Sequence, residues 1–156
     1  MQRSQLIWER PEIVRHTQTV LDSFRHWTKR DLIALSGTPL EQSRAVFHAP
    51  QIVCSHGTQA DPIFNYANQA AMDVWEMDWE TFTKTPSRLS AEPLERTERQ
   101  RLMKNVRENG FVDNYHCVRI SSTGRRFEID VMVWNLLDES GAISGQAAMY
   151  ERWKYI

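Results

Sequence analysis

The chain has 156 residues, of which 41% are hydrophobic and 25% charged, and it carries a net charge of −1. That length suits one domain whose core buries roughly two-thirds of the unfolded surface. The balanced charge excludes the basic excess of an electrostatic nucleic-acid binder, and no apolar run is long enough for a helical membrane span. The first thirty residues are amphipathic and charged rather than signal-like, so the expected location is the cytoplasm. Cys54 and Cys117 are too few for a metal knuckle or disulfide framework, and both lie in apolar, strand-like surroundings where a free thiol acts as a small hydrophobe. Two cysteines allow a single Cys54–Cys117 bridge, against which the expected cytoplasmic address argues.

In chain order, residues 1–50 form an N-terminal helical segment and residues 51–156 the core. A stripe of Ile13, Thr17, Val20, Leu21, Phe24, Trp27 and Leu32 predicts a helix from Ile13 to Leu35, ended by Gly37. Val20, Phe24 and Trp27 are large apolar groups of the kind that anchor interfaces, so they are dimer-interface candidates; packing on the chain's own sheet is the equal alternative. Thr38-Pro39-Leu40-Glu41 is a capping box with proline at the first helical position, opening a short helix that Pro50 bounds. Strands follow at Gln51–Ser55 and Ile63–Tyr66, separated by a turn holding Gly57 and Asp61-Pro62. Asn68 is placed to cap a helix running from Gln69 to Trp75. A short helix at Trp79–Thr83 and a longer one from Ser90 to Asn109 come next, the latter stopped by Gly110. Three strands close the chain: Phe111–Ile120, Arg126–Leu137 and Ala142–Trp153. In the middle one Phe127, Ile129, Val131 and Val133 share one face, with Glu128 and Asp130 on the other.

The Tyr66-x-Asn68 phrase before a capped helix, WEMDWETF (Trp75–Phe82), PSRLSAEP (Pro86–Pro93), GRRFEI (Gly124–Ile129), VWNLLDESG (Val133–Gly141) and GQAA (Gly145–Ala148) occur here in order. Together they closely resemble the MEKHLA family. It is a PAS-related group of small bacterial and algal proteins that also occurs at the C-terminus of plant class III homeodomain–leucine-zipper regulators. The resemblance runs from about Leu21 to Trp153. It implies an α+β fold with a five-stranded antiparallel sheet in the order 2-1-5-4-3, helices on one face and a ligand pocket between them. It implies a sensory or interaction role and names no ligand.

On that expectation the pocket candidates are His56, Phe64, Tyr66, Trp75, Arg88, His116, Arg119, Trp134, Asn135 and Gln146: a few polar groups among aromatics, the usual make-up of a small-molecule cavity. Each also has a plain reading. Six tryptophans suit a dense core as well as a flat ligand, and Arg88 suits a local ion pair as well as an anion clamp. The run Arg96, Arg99, Arg101, Lys104 and Arg107 alternates with glutamates, and Glu92–Arg96 and Glu95–Arg99 fall four apart, which predicts a solvated helix face. No catalytic or metal-binding residue is assigned, since there is no nucleophile elbow, phosphate loop or zinc motif, and adjacent Ser55 and His56 point to opposite faces. The cofactor is unknown. Flavin is disfavoured because the NCRFLQ-like phrase of flavin photoreceptors is missing, and haem because Ser90–Asn109 holds no histidine. The expected function is a non-catalytic sensory or interaction module, binding a small organic ligand or a protein partner in trans, or a second copy. The alternative is a small α+β enzyme with His56 or His116 as base and Arg88 as anion clamp.

Overall fold

The computed structural model describes residues 6–33 and 36–156. Helix α1 (Pro11–Thr28) starts with proline at its first turn and stops earlier than the stripe predicts, where Lys29 turns left-handed at φ 59. Leu35, the expected end, lies outside the described residues. Gly37 instead precedes α2 (Pro39–Phe47), whose capping box forms as expected, with Thr38 accepting from the Glu41 N–H and Glu41 accepting from the Thr38 N–H.

Strands β1 (Ile52–His56) and β2 (Phe64–Ala67) lead into α3 (Gln69–Trp75) and α4 (Trp79–Phe82). The helix expected from Ser90 is shorter. Residues Ser87–Ser90 and Pro93–Glu95 are 3-10 turns, and α5 covers Arg96–Asn109. Proline at position 93 explains the delay, since its ring fits a first turn and not a helix interior. Gly110 ends α5 at φ 99, and a Cβ there would fall 2.4 Å from the Trp27 ring. Strands β3 (Phe111–Ile120), β4 (Arg126–Leu137) and β5 (Ile143–Tyr155) complete one antiparallel sheet in the order β2-β1-β5-β4-β3.

Both faces of the sheet are covered. Side chains opposite one another on paired strands share a face, so Cys54, Phe127, Ile129, Val131, Val133, Ala148 and Tyr150 form the inner face, under α3, α4 and α5. Trp75 sits at its centre, with Phe64, Phe82, Phe127 and Tyr150 within 5.3–6.1 Å between ring centroids. The outer face carries Val53, Tyr66, Met132, Trp134, Leu136, Ala147 and Met149, and α1 lies across it with Ile13, Val20 and Phe24. The Phe24 and Trp134 rings meet edge-on at 5.0 Å, and the Trp134 indole N–H donates to the Val20 carbonyl at 3.2 Å.

Asn68 does more than cap α3. Its Oδ1 accepts from Ala71 and Val53, and its Nδ2 donates to the Val46 and Gln51 carbonyls. One fully buried amide thus joins α2, β1 and α3.

Candidate functional site

Between the inner face and α5 the fold leaves a cavity of about 30 Å³, lined in part by Cys54, His56, Phe64, Ser90, Arg99, Arg119, Gln146 and Tyr150. It adjoins a wider cleft of about 740 Å³ between α5 and the 57–62 turn. His56, Arg99, Met103 and Gln146 line both and form the threshold between them.

Two arginines set the cavity's character. Arg119 projects from β3 on the inner face, opposite Phe127 in the register, and is 4% exposed. Arg99 comes down from α5 and is 8% exposed. The charge run in α5 is therefore not wholly a solvated face. Arg99, Leu102 and Val106 fall three and four apart on the side that packs on the sheet. The expected helix pairs do not form either: Glu92 bonds Arg126, and Arg96 donates to the Ala91 carbonyl. Among the described residues no carboxylate lies within ion-pair distance of Arg99 or Arg119. The one hydrogen bond from the Arg119 guanidinium among the described residues goes to the carbonyl of Val118.

Burial, and after it the neighbouring Arg119 charge, lowers the Arg99 pKa from 12.5 to about 10, which still leaves Arg99 a cation at neutral pH. The nearby groups that ionise to anions stay neutral. Burial pushes the Cys54 thiol up to about 12 and the Tyr150 phenol well above its usual range. Cys54 and Cys117 are both free thiols. His56 Nδ1 donates to the Gly57 carbonyl at 3.0 Å, which leaves Nε2 as a buried acceptor with no partner. Burial lowers this ring's pKa to about 4.

Of the ten residues expected around a pocket, His56, Phe64, Arg119 and Gln146 line the inner cavity. Arg88 lines only the outer cleft, where it pairs with Asp61 at 3.2 Å. Asn135 stands behind the cavity wall. Its Nδ2 donates to the Val106 and Arg107 carbonyls of α5, while its Oδ1 accepts from Gln146. Trp75 is core rather than lining. Trp134 faces outward under α1, because strand alternation puts it on the opposite side from Val133. Tyr66 faces outward as well although it is two residues from inward-facing Phe64, in the stretch where the β1–β2 register shifts between Ser55 and His56. His116 is on the outer face too, exposed, with Nδ1 2.8 Å from Asp130 Oδ1. Val20 and Phe24 are buried against the chain's own sheet, and the Trp27 indole N–H donates to the Asn135 carbonyl at 2.9 Å.

Sequence reading missed Arg99, for which the helical spacing to Leu102 and Val106 was the available signal. It also missed the His16–Ser55 contact, which joins residues 39 apart and has no local signature. Ser55 Oγ donates its only proton to Asn65 Oδ1, so His16 Nε2 is the donor at 2.8 Å and cannot act as base toward that hydroxyl.

The MEKHLA domain model matches residues 14–155. The chain belongs to the MEKHLA family. No curated protein matches its sequence. Among solved structures, the PAS domain of a Colwellia psychrerythraea protein is similar to this MEKHLA domain with a TM-score of 0.63 and 13% identity, covering 74% of this chain and 93% of that one. A light-oxygen-voltage domain from work on a flavin analogue has a TM-score of 0.59 at 13% identity over 73% of this chain and 83% of its own. The dark structure of the blue-light photoreceptor Aureochrome1 LOV has a TM-score of 0.57 at 14% identity over 79% and 88%. At these identities the likeness is one of fold. It shows a PAS/LOV-like α+β fold. Among the described residues no helix is long and apolar enough to cross a membrane.

Proposed function

We propose that this MEKHLA domain is a non-catalytic sensory module that takes a small organic ligand in the cavity under α5 and signals to a partner in trans. One observation carries the reading: a cavity lined by two buried, uncompensated cations inside an otherwise apolar core. A core of this sort is costly to maintain for packing alone, since desolvated charge without a partner opposes folding.

The hydrogen bonds around the cavity supply a route outward. Gln146 Nε2 donates to the Met103 carbonyl of α5 at 2.9 Å and to Asn135 Oδ1 at 3.2 Å. Asn135 caps the end of α5 through its side chain and accepts the α1 indole of Trp27 at its backbone carbonyl. A ligand that engages Gln146 competes with these bonds and so favours one arrangement of α5 and α1 over another.

The flavin named for one light-oxygen-voltage neighbour does not fit these residues. The space between sheet and middle helices is filled by Trp75, Phe82 and Phe127, and the remaining 30 Å³ is far below a tricyclic ring. The enzyme alternative gains nothing from the geometry. His56 is a weak base at neutral pH, His116 lies on the outer face, and Arg88 is engaged by Asp61 at the cleft.

Hydrogen exchange tests the coupling. Protein as isolated from its native host is compared with protein unfolded, dialysed and refolded. Slower exchange in both α5 and α1 of the as-isolated form is expected. Identical exchange in the two preparations would remove the sensor reading.

A further inference from the structure

The class of ligand follows from the cavity, resting on the reading that the cavity is a ligand site. We propose that this MEKHLA domain binds a small organic carboxylate, its head group between Arg99 and Arg119 and the remainder leaving past Gln146 into the outer cleft.

Charge is the first support. Two guanidiniums, 4% and 8% exposed, line one cavity with no carboxylate in ion-pair reach among the described residues. Guanidinium forks match planar oxyanions with paired N–H bonds. The nearby acidic side chains, Cys54 and Tyr150, are held protonated by burial and cannot supply the missing charge. Size is the second. A water needs about 10–15 Å³ measured this way, so 30 Å³ admits about two oxygen-sized atoms. That is a carboxylate's pair of oxygens rather than the four of a tetrahedral phosphate. Access is the third. The outer cleft adds Arg88, Lys104 and Arg107; Arg88 is paired with Asp61 and Lys104 with Glu108, so Arg107 supplies the excess positive charge that draws anions toward the threshold.

The test titrates the full chain with acetate, propionate and succinate, with the amides acetamide and propionamide and with inorganic phosphate, at constant ionic strength. The readouts are the arginine Nε–H resonances and the melting temperature. Saturable shifts of the Arg99 and Arg119 resonances with at least one carboxylate, a raised melting temperature, and no response to the amides are expected. Arg119→Met should weaken the response at least tenfold. It should melt at or above the wild-type temperature, because the substitution removes one of two mutually repelling buried cations. Should that variant fail to fold, the wild-type contrast between carboxylate and amide still decides. Equal responses to amides and carboxylates, a response to phosphate alone, or a wild-type response in Arg119→Met would overturn the proposal. A neutral molecule found bound by native mass spectrometry, with no carboxylate response, would overturn the ligand class and leave the sensor reading standing. No bound molecule and no response to any probe would overturn both.

Discussion

Two buried histidines should make this domain sensitive to mild acid. Burial lowers the pKa of His16 and of His56 from 6.5 to about 4. In the unfolded chain both rings protonate near 6.5, while in the folded chain they stay neutral until about pH 4. The unfolded state therefore binds more protons in that window. Stability is full above about pH 6.5 and declines as the pH falls toward 4. Between about pH 7.5 and 5 the linkage amounts to about 2 kcal/mol per ring and about 4 kcal/mol for the two. Other groups blur this little. The Glu76, Asp78 and Asp138 carboxyls are held below their usual values by hydrogen bonds, from the Thr123 and Ser121 hydroxyls, the Thr81 backbone N–H, and the Ser140 hydroxyl first in each case. They stay ionised through the window. Arg99 faces His56 and remains charged throughout. His116 shifts the opposite way, but it is common to all variants and cancels in a difference. Urea unfolding of wild type, His16→Gln, His56→Gln and the double variant at the two pH values measures the effect. Each single variant should lose about 2 kcal/mol of the wild-type pH dependence, whatever its absolute stability. A His16→Gln slope equal to wild type would refute the argument that burial keeps that ring neutral.

Asn68→Ala removes four hydrogen bonds at one fully buried amide and takes a partner from backbone groups of three elements. A loss of about 3–5 kcal/mol is expected by chemical denaturation, and a loss below about 1 kcal/mol would contradict the junction role. His116 should titrate by NMR above 6.5, because its hydrogen bond to Asp130 favours the charged ring, with Glu128 adding to it. Its contribution to stability is present below about pH 6.5 and lost as the pH rises through the raised folded value. Asp130→Asn should bring the titration back toward the ordinary value.

The fold was legible for local reasons. Thr38 and Glu41, Asn68, and the alternation from Phe127 to Val133 each state their structure within a few residues. The strand order was not written in such patterns and came from the resemblance to the family. The site was half legible. The alternation that puts Val133 inward puts Trp134 outward, and the same parity separates His116 from Arg119, so two expected pocket residues were excluded by a rule already in hand. Tyr66 is harder, because the irregularity between Ser55 and His56 shifts the β1–β2 register. Arg99 was hidden by its neighbours: in a run of alternating charges only the phase to Leu102 and Val106 marks it as buried. The early stop of α1 at Lys29 has no sequence signal, since lysine does not favour a left-handed backbone.

The most direct measurement is native mass spectrometry of the protein purified gently from its native host, beside Arg119→Met prepared identically. A stoichiometric small organic acid on the wild type and a bare mass for the variant are predicted. A bare wild-type mass, together with unmoved Arg99 and Arg119 resonances in acetate, propionate and succinate, would contradict the account.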